Sequence, residues 1–543
     1  MSKLWNCSRQ LLSGGSPFAR RVSFTTRLPR PLSSPSTCLR PCLLAQQTRR
    51  GLLTLAIETS CDDTCVAVLE KSEDGVAHLH FNEKITSDSS SYGGVHPVVA
   101  VTSHSQNLAP LVQKALRVLP KATHVGSPQE GKGDSKILWV DGDPRLKPDF
   151  ISVTRGPGMT SNLATGLNLA KGLAVAWDVP LLGVNHMQAH ALTPRLVGAL
   201  EEQQARQYGD WTSLGIGDDT WDKIESGKPK SPQFPFLSLL VSGGHTMLVR
   251  SEAVNEHHII ADALNIAAGD MIDKCARLIV PPEIISAELA AVGMHGPILE
   301  EFAFPDSTHS ANYDYDYTPP VSRGDEIKIF EMETGSLTPP LSLGGQSKEA
   351  ASTYEFAGLN GQVQKMMMDH PDMDEDLRRM IARGVMTLVF EHLTSRVLFA
   401  LQAEKEKLKM KKSIKKRSGK KKSNADAEGP SGMKTIVLSG GVASNRYLRH
   451  VMRKILDARS YGDVEVVAPP VSLCTDNAAM IAWTGMEMYE LGWRSGLGIM
   501  VLRKWPLDPK DEDGGILEVE GWHHLSAKPE TVHIENIINM GRV

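Results

Sequence analysis

The first 57 residues contain no acidic side chain, while Lys3, Arg9, Arg20, Arg21, Arg27, Arg30, Arg40, Arg49 and Arg50 are all basic. Ser and Leu fill much of the remainder, and the apolar runs are too short for a secretory core. This composition predicts an organellar transit peptide over residues 1–50. Its removal would take the formal net charge from -4 to -4 - 9 = -13, so an acidic enzyme would need a local basic patch to meet nucleic acid. Long apolar runs are also lacking. The best candidate for a membrane span, Leu163 to Trp177, is interrupted by Lys171, which argues against a membrane partner. Cysteine is sparse and odd in number: Cys7, Cys38, Cys42, Cys61, Cys65, Cys275 and Cys474. That excludes a disulfide framework, and the two close pairs have no matching second pair for a zinc finger. A reducing, matrix-type compartment fits.

What the chain has is alternation. From Gly51 onward apolar runs, glycine turns and helical patterns succeed one another, which predicts an α/β fold. Leu52 to Ile57 leads through Glu58-Thr-Ser-Cys-Asp-Asp-Thr64 into Cys65 to Leu69. Phe236 to Val241 leads likewise through Ser242-Gly-Gly-His-Thr246 into Met247 to Val249. Two strand-turn-strand units of one grammar suggest a duplicated architecture. Further strand-to-helix turns occur at Arg155-Gly-Pro-Gly158, Ser439-Gly-Gly-Val-Ala-Ser-Asn445 and Cys474-Thr-Asp-Asn477. Glycine turns that open helices attract anions, and several converging from two halves describe a nucleotide cleft. Residues 119–147, 201–232 and 305–347 are polar and rich in Gly, Pro and charge, and are expected to be surface insertions. A Lys-rich stretch begins at Lys405; residues 405–432 are expected to be largely disordered, although their start could extend the preceding helix. Residues 506–543 are expected to be a tail.

His186 and His190 carry the sharpest chemical signal. They follow the strand Leu181 to Val184 and the capping residue Asn185, and a spacing of four places both imidazoles on one helical face, within reach of one metal ion. Two histidines at chance spacing would look the same in isolation. A zinc protease needs a Glu beside the first histidine, and position 187 is Met. Asp476, after a strand and before a helix, is a candidate third ligand or an ordinary helix cap. A His2Asp site with open positions suits zinc, iron or magnesium.

Leu55-Ala-Ile-Glu-Thr-Ser-Cys-Asp-Asp-Thr64, Tyr92-Gly-Gly-Val95, Thr154-Arg-Gly-Pro-Gly158, Asn185-His-Met-Gln-Ala-His190 and Leu239-Leu-Val-Ser-Gly-Gly-His-Thr246 occur in one order along the chain. Gly269-Asp-Met-Ile-Asp-Lys274, Ser439-Gly-Gly-Val-Ala-Ser-Asn445 and Cys474-Thr-Asp-Asn-Ala478 follow them. Together they resemble the TsaD-type tRNA threonylcarbamoyl transferases, and the leader points to the mitochondrial branch. The resemblance implies an actin-like (sugar kinase/heat-shock ATPase) fold of two duplicated lobes around a nucleotide and metal cleft. It places lobe one at about residues 51–235 plus 475–505, and lobe two at about 236–474.

It also implies transfer of a threonylcarbamoyl group from threonylcarbamoyl-adenylate to the adenosine 3′ of the anticodon of mitochondrial tRNA, releasing AMP. One divalent ion per subunit would be held by His186, His190 and Asp476. Leu240, Val241, Ser242, Gly243, Gly244, Asp273, Gly296, Gly440, Gly441 and Asn445 would line the adenylate pocket, and Asp62 would be catalytic. The enzyme is expected to act as a homodimer in the mitochondrial matrix. The chain departs from the family pattern at Asp63 and Asp270, where Glu is usual, and at Asn360, where Lys is usual. Of the cluster that usually follows the Tyr-Gly-Gly turn only His104 remains. The double-glycine loop around Gly296 matches poorly. A small-molecule kinase or ATPase on the same fold is the alternative reading.

Overall fold

A computed structural model describes residues 51–526 except 90–91, 93–94, 123–135, 209–231, 286–294, 306–312, 318, 320–329, 333–334, 339–350 and 418–432. The expected transit peptide and the end of the Lys-rich stretch lie outside the described residues.

The chain begins with three antiparallel strands, β1 (Leu52–Glu58), β2 (Asp63–Lys71) and β3 (Ala77–Thr86). After a hairpin of β4 (Ile137–Val140) and β5 (Asp143–Leu146), β6 (Phe150–Gly156) returns parallel to the free edge of β1, and β7 (Leu181–Asn185) adds parallel to β6. The same sequence of moves is then repeated. β8 (Phe236–Val241), β9 (Thr246–Ala253) and β10 (Glu256–Ala263) form an antiparallel meander. After the short hairpin of β11 (Phe330–Met332) with β12 (Gly335–Leu337), and β13 (Thr353–Tyr354) beside β10, β14 (Thr435–Ser439) pairs parallel with β8. β15 (Glu465–Val467) pairs parallel with β14. Strands from the chain's end, β16 (Trp493–Ser495) and β17 (Trp522–His524), close the first sheet. The two large sheets therefore run β17-β16-β7-β6-β1-β2-β3 and β13-β10-β9-β8-β14-β15.

Burial explains the placement. Leu53 to Ile57 of β1 are all buried, as a central strand covered on both faces requires, and Thr54 is satisfied by the Phe150 carbonyl and by Ser152 Oγ, each at 3.0 Å. The helix Ala478–Glu490 is buried from Ala478 to Met488. Its small residues allow close approach: a Cβ on Gly485 would come within 2.3 Å of Ser152 Oγ.

Three expectations change here. The segment after Trp505 is no loose tail as far as it is described. Leu507 and Ile516 are buried, Trp522 Nε1 donates to the Gly183 carbonyl at 2.8 Å, and β17 pairs with β16. The helix Glu375–Arg417 does run on into the start of the Lys-rich stretch, as allowed, and carries residues 405–417. Its portion Glu375–Met410 is also long and apolar enough to cross a membrane by length and composition, a property the search for unbroken apolar runs missed. Its most apolar window is 83% buried within the protein, so it is a core helix. The third polar insertion contributes Tyr313 and Tyr315 to the core around Phe304 and Tyr447, so it is not simply surface loop.

Candidate metal centre and nucleotide wall

β7 ends at Asn185, whose side-chain Oδ1 accepts from the backbone N–H of Met187 and Gln188 at 2.9 and 3.1 Å. That cap starts the helix His186–Tyr208 in its first turn. His186 and His190 consequently share one face, with ring centroids 4.7 Å apart. Their Nε2 atoms lie 3.5 and 3.0 Å from Asp476 Oδ1. The ligand atoms of the three residues fall within 4.8 Å of one another. A tetrahedral ion bonded at about 2.1 Å spaces its ligands by roughly 3.4 Å, so these positions fit a metal. Asp476 does not cap the following helix: Asn477 does, accepting from Met480 N at 3.0 Å. The Asp476 carboxylate is thereby left for the histidines.

Glu58, at the end of β1, completes the corner and carried no role in the sequence reading. Fully buried, it accepts from His186 Nδ1 at 3.1 Å, from Thr154 Oγ1 and from the backbone N–H of Ser60. A carboxylate behind a ligand histidine fixes its tautomer and turns Nε2 toward the ion. The signal available in the sequence was an acidic residue closing an otherwise apolar strand. His190 has no such support; its Nδ1 is buried without a hydrogen-bond partner. Burial opposes charge on Asp476, but His186 and the hydrogen bonds from both histidines hold its carboxyl well below the usual range. For His186 burial is likewise overcome, by Asp476 and then Glu58, and its pKa is raised well above the ordinary value. Of the three candidate ligands Asp476 is the most exposed, with 23% of its side chain open to solvent.

Asp62 lies half-buried in the first turn, beside Cys61. Burial pushes the Cys61 thiol far up, and the charges of Asp62 and Asp476 push it further. His104 braces this turn. It is wholly buried, its Nδ1 2.8 Å from Thr64 Oγ1 and its Nε2 3.0 Å from the Cys61 carbonyl. Burial lowers its pKa, which leaves a neutral ring able to donate at one nitrogen and accept at the other.

The second sheet supplies the glycine turns. Leu240 and Val241 are buried at the end of β8, and Ser242 Oγ accepts from the backbone N–H of Gly244 and His245 at 3.3 and 3.1 Å. Side chains added at Gly243 or Gly244 would meet open space. Gly440 is different. Its φ is +90°, and a Cβ there would sit 2.4 Å from the Val241 carbonyl, so it locks the two turns together. Gly441 faces Thr475, next to Asp476. His245 remains open to solvent. Protein packed around its ring nevertheless pushes its pKa down to about 4, with the charge of His186 and His190 adding to the shift. Asp273 takes the backbone N–H of His295 at 2.6 Å and pairs with Arg277 at 2.7 Å, which fixes the start of the helix Gly296–Ala303. Asp273 and Gly296 thus come together. Asn445 differs from a free pocket side chain. Its Oδ1 caps the helix Arg446–Ala458 by accepting from Leu448 N at 2.9 Å. Asn360 meets the Cys275 thiol at 3.6 Å rather than a charged group.

The family model described as "TsaD: tRNA N6-adenosine threonylcarbamoyltransferase" matches residues 145–204 and 223–483. The chain belongs to the TsaD family. It is 32% identical over 484 residues to a Schizosaccharomyces pombe protein named "tRNA N6-adenosine threonylcarbamoyltransferase, mitochondrial", covering 87% of this chain and 89% of that one. Among solved structures, HypF of T. kodakarensis aligns with 82% of this chain at a TM-score of 0.35 and 13% identity, and the chain spans about half of its length (49%). YeaZ from Pseudomonas aeruginosa aligns with 39% of this chain and 66% of its own at a TM-score of 0.19 and 16% identity. At these scores neither likeness bears on function. The break in the TsaD match, between residues 204 and 223, falls in the second expected insertion.

Proposed function

We propose that this TsaD-family enzyme holds threonylcarbamoyl-adenylate between the metal corner of the first sheet and the glycine turns of the second. Its activity is transfer of the threonylcarbamoyl group to a tRNA adenosine, and it works in the mitochondrion. The finer reading places it in the matrix after loss of residues 1–50, acting as a homodimer, with the two sheets as the lobes of an actin-like fold. The repeated meander-plus-parallel-strand topology supports that last point.

The carrying observation is the convergence of His186, His190 and Asp476 beside Thr475 and Gly441. A divalent ion bound there would stabilise the phosphate charge of the departing AMP. Glu58 orients His186, and His104 holds the first turn, which carries Asp62. The open turn at Gly243 and Gly244 admits the adenylate to the backbone, and Asp273 with Gly296 forms the far wall. An exocyclic adenine amine is a weak nucleophile, so most acceleration comes from positioning it against the activated carbonyl. Asp62 orients that amine or accepts its proton. The test is direct: purified protein with zinc, iron or magnesium, threonylcarbamoyl-adenylate and unmodified mitochondrial tRNA forms the modified adenosine 3′ of the anticodon. Absence of product with every metal rejects the reading. An Asp62→Ala variant with full transfer and normal adenylate binding removes Asp62 from the mechanism.

A further inference from the structure

Asp476 and the two histidines come from opposite ends of the chain, yet a metal site needs them held to a fraction of an ångström. The helix face aligns His186 with His190, and Glu58 orients His186. Something must also register the loop Cys474–Asn477 against the first sheet. Two contacts do so. Cys65 Sγ on β2 lies 3.7 Å from the Asp476 carbonyl, a weak sulfur contact. The stronger one runs through Lys84 on β3. Its Nζ donates to Asp63 Oδ2 at 2.9 Å and to Thr475 Oγ1 at 3.1 Å, and Asp63 is itself held by Thr86. Thr475 in turn faces Gly441 of the second sheet's turn.

We propose that Lys84 is a positioning residue: by bridging Asp63 to Thr475 it holds the Asp476 loop in register with His186 and His190. The bridge also accounts for Asp63, where a Glu is usual in the family. The shorter carboxylate is engaged by Lys84 and Thr86, one oxygen to each. Asp63 is only 11% exposed, so the charge-assisted pair is partly shielded from water and stiffer than a surface ion pair. Lys84 touches neither ligand nor reacting atom; it acts through the loop.

The inference rests on the metal reading, and its test separates the two. Lys84→Met keeps the apolar stem and removes the charge, Lys84→Arg keeps the charge, and Thr475→Val removes the far anchor. Zn2+ affinity is measured by competition with a chelator, and loop order by hydrogen exchange of the peptide spanning Cys474–Asn477. Lys84→Met and Thr475→Val are expected to weaken Zn2+ binding by about 10-fold and speed exchange in that peptide. Both should lower kcat with little change in KM for tRNA, and Lys84→Arg should restore most of the loss. Unchanged exchange and affinity in both disrupting variants overturn the proposal. So does a Lys84→Met defect confined to KM for tRNA, which would make Lys84 a phosphate contact. If wild-type protein binds no Zn2+, Fe2+ or Mg2+, the metal reading fails, while the exchange comparison still decides whether Lys84 orders the loop.

Discussion

The candidate metal corner of the first sheet and the glycine wall of the second are built in opposite ways. The corner consists of ionisable side chains in contact: Glu58 meets His186, and His186 and His190 both meet Asp476. The wall consists of backbone left bare, with Ser242 tying the turn and Gly440 pressed on Val241. Buried charge demands partners, so every side chain in the corner is specified by its neighbours. A backbone surface demands missing side chains, so its requirements are for glycine at φ +90° or at close approach, and little else.

That contrast is broken most severely at the ligands. His190→Ala is expected to abolish stoichiometric metal binding and cut kcat on the order of 1000-fold, with adenylate binding reduced less; metal content by mass spectrometry and single-turnover transfer check it. Retained activity in that variant would falsify the assignment of the corner. Glu58→Gln keeps the shape but weakens the acceptor behind His186. The expected loss is 10- to 100-fold in metal affinity, an order-of-magnitude figure, with kcat restored at saturating metal. The wall should behave otherwise. Gly440→Ala, with positive φ and a 2.4 Å clash at the Val241 carbonyl, is expected to cost about 1–3 kcal/mol of stability. Gly243→Ala, facing open space, should leave the melting temperature unchanged and raise KM for the adenylate. Equal stability losses at both glycines would erase the distinction between locked and open turn positions.

Acid also separates the two sheets, through histidines shifted in opposite directions. His257, on β10, is wholly buried between Ser251 and the Val254 carbonyl, and burial pushes its pKa down to about 4. Its neutral form is favoured by folding, so stability is present above an unfolded pKa of about 6.5 and is lost as pH falls toward 4. His186 is shifted up, so in metal-free protein its protonated form adds stability that is lost as pH rises through its folded pKa. Replacing His257 with Gln should remove roughly 2–3 kcal/mol of the acid-induced loss at pH 4.5. Urea unfolding at pH 4.5 and 7.5 measures it. An unaltered pH slope would show that His257 is not the buried neutral group.

The central strands of both sheets were legible as mainly apolar runs because they are buried on two faces, while the outer strands β3, β10, β13, β16 and β17 were not read. The turns were legible as glycine and polar punctuation, because few residues tolerate their backbone. Asn185 was legible as a cap for the same local reason. Three-dimensional proximity between distant segments was not. That Asn445 also caps its own helix was not read, and residues 506–526 looked like a tail because short edge strands carry little periodicity.

The sequence by itself determined the family, the α/β alternation and the identity of His186, His190 and Asp476 as candidate ligands, because motif order and helical spacing are properties of the chain alone. Only the tertiary structure decided that Glu58 stands behind His186, that Asn477 relieves Asp476 of capping, and that Lys84, bonded to Asp63, reaches Thr475 across 391 residues. Those contacts join groups from remote parts of the chain, and a hydrogen bond depends on distance and direction in space, which spacing along a sequence does not encode.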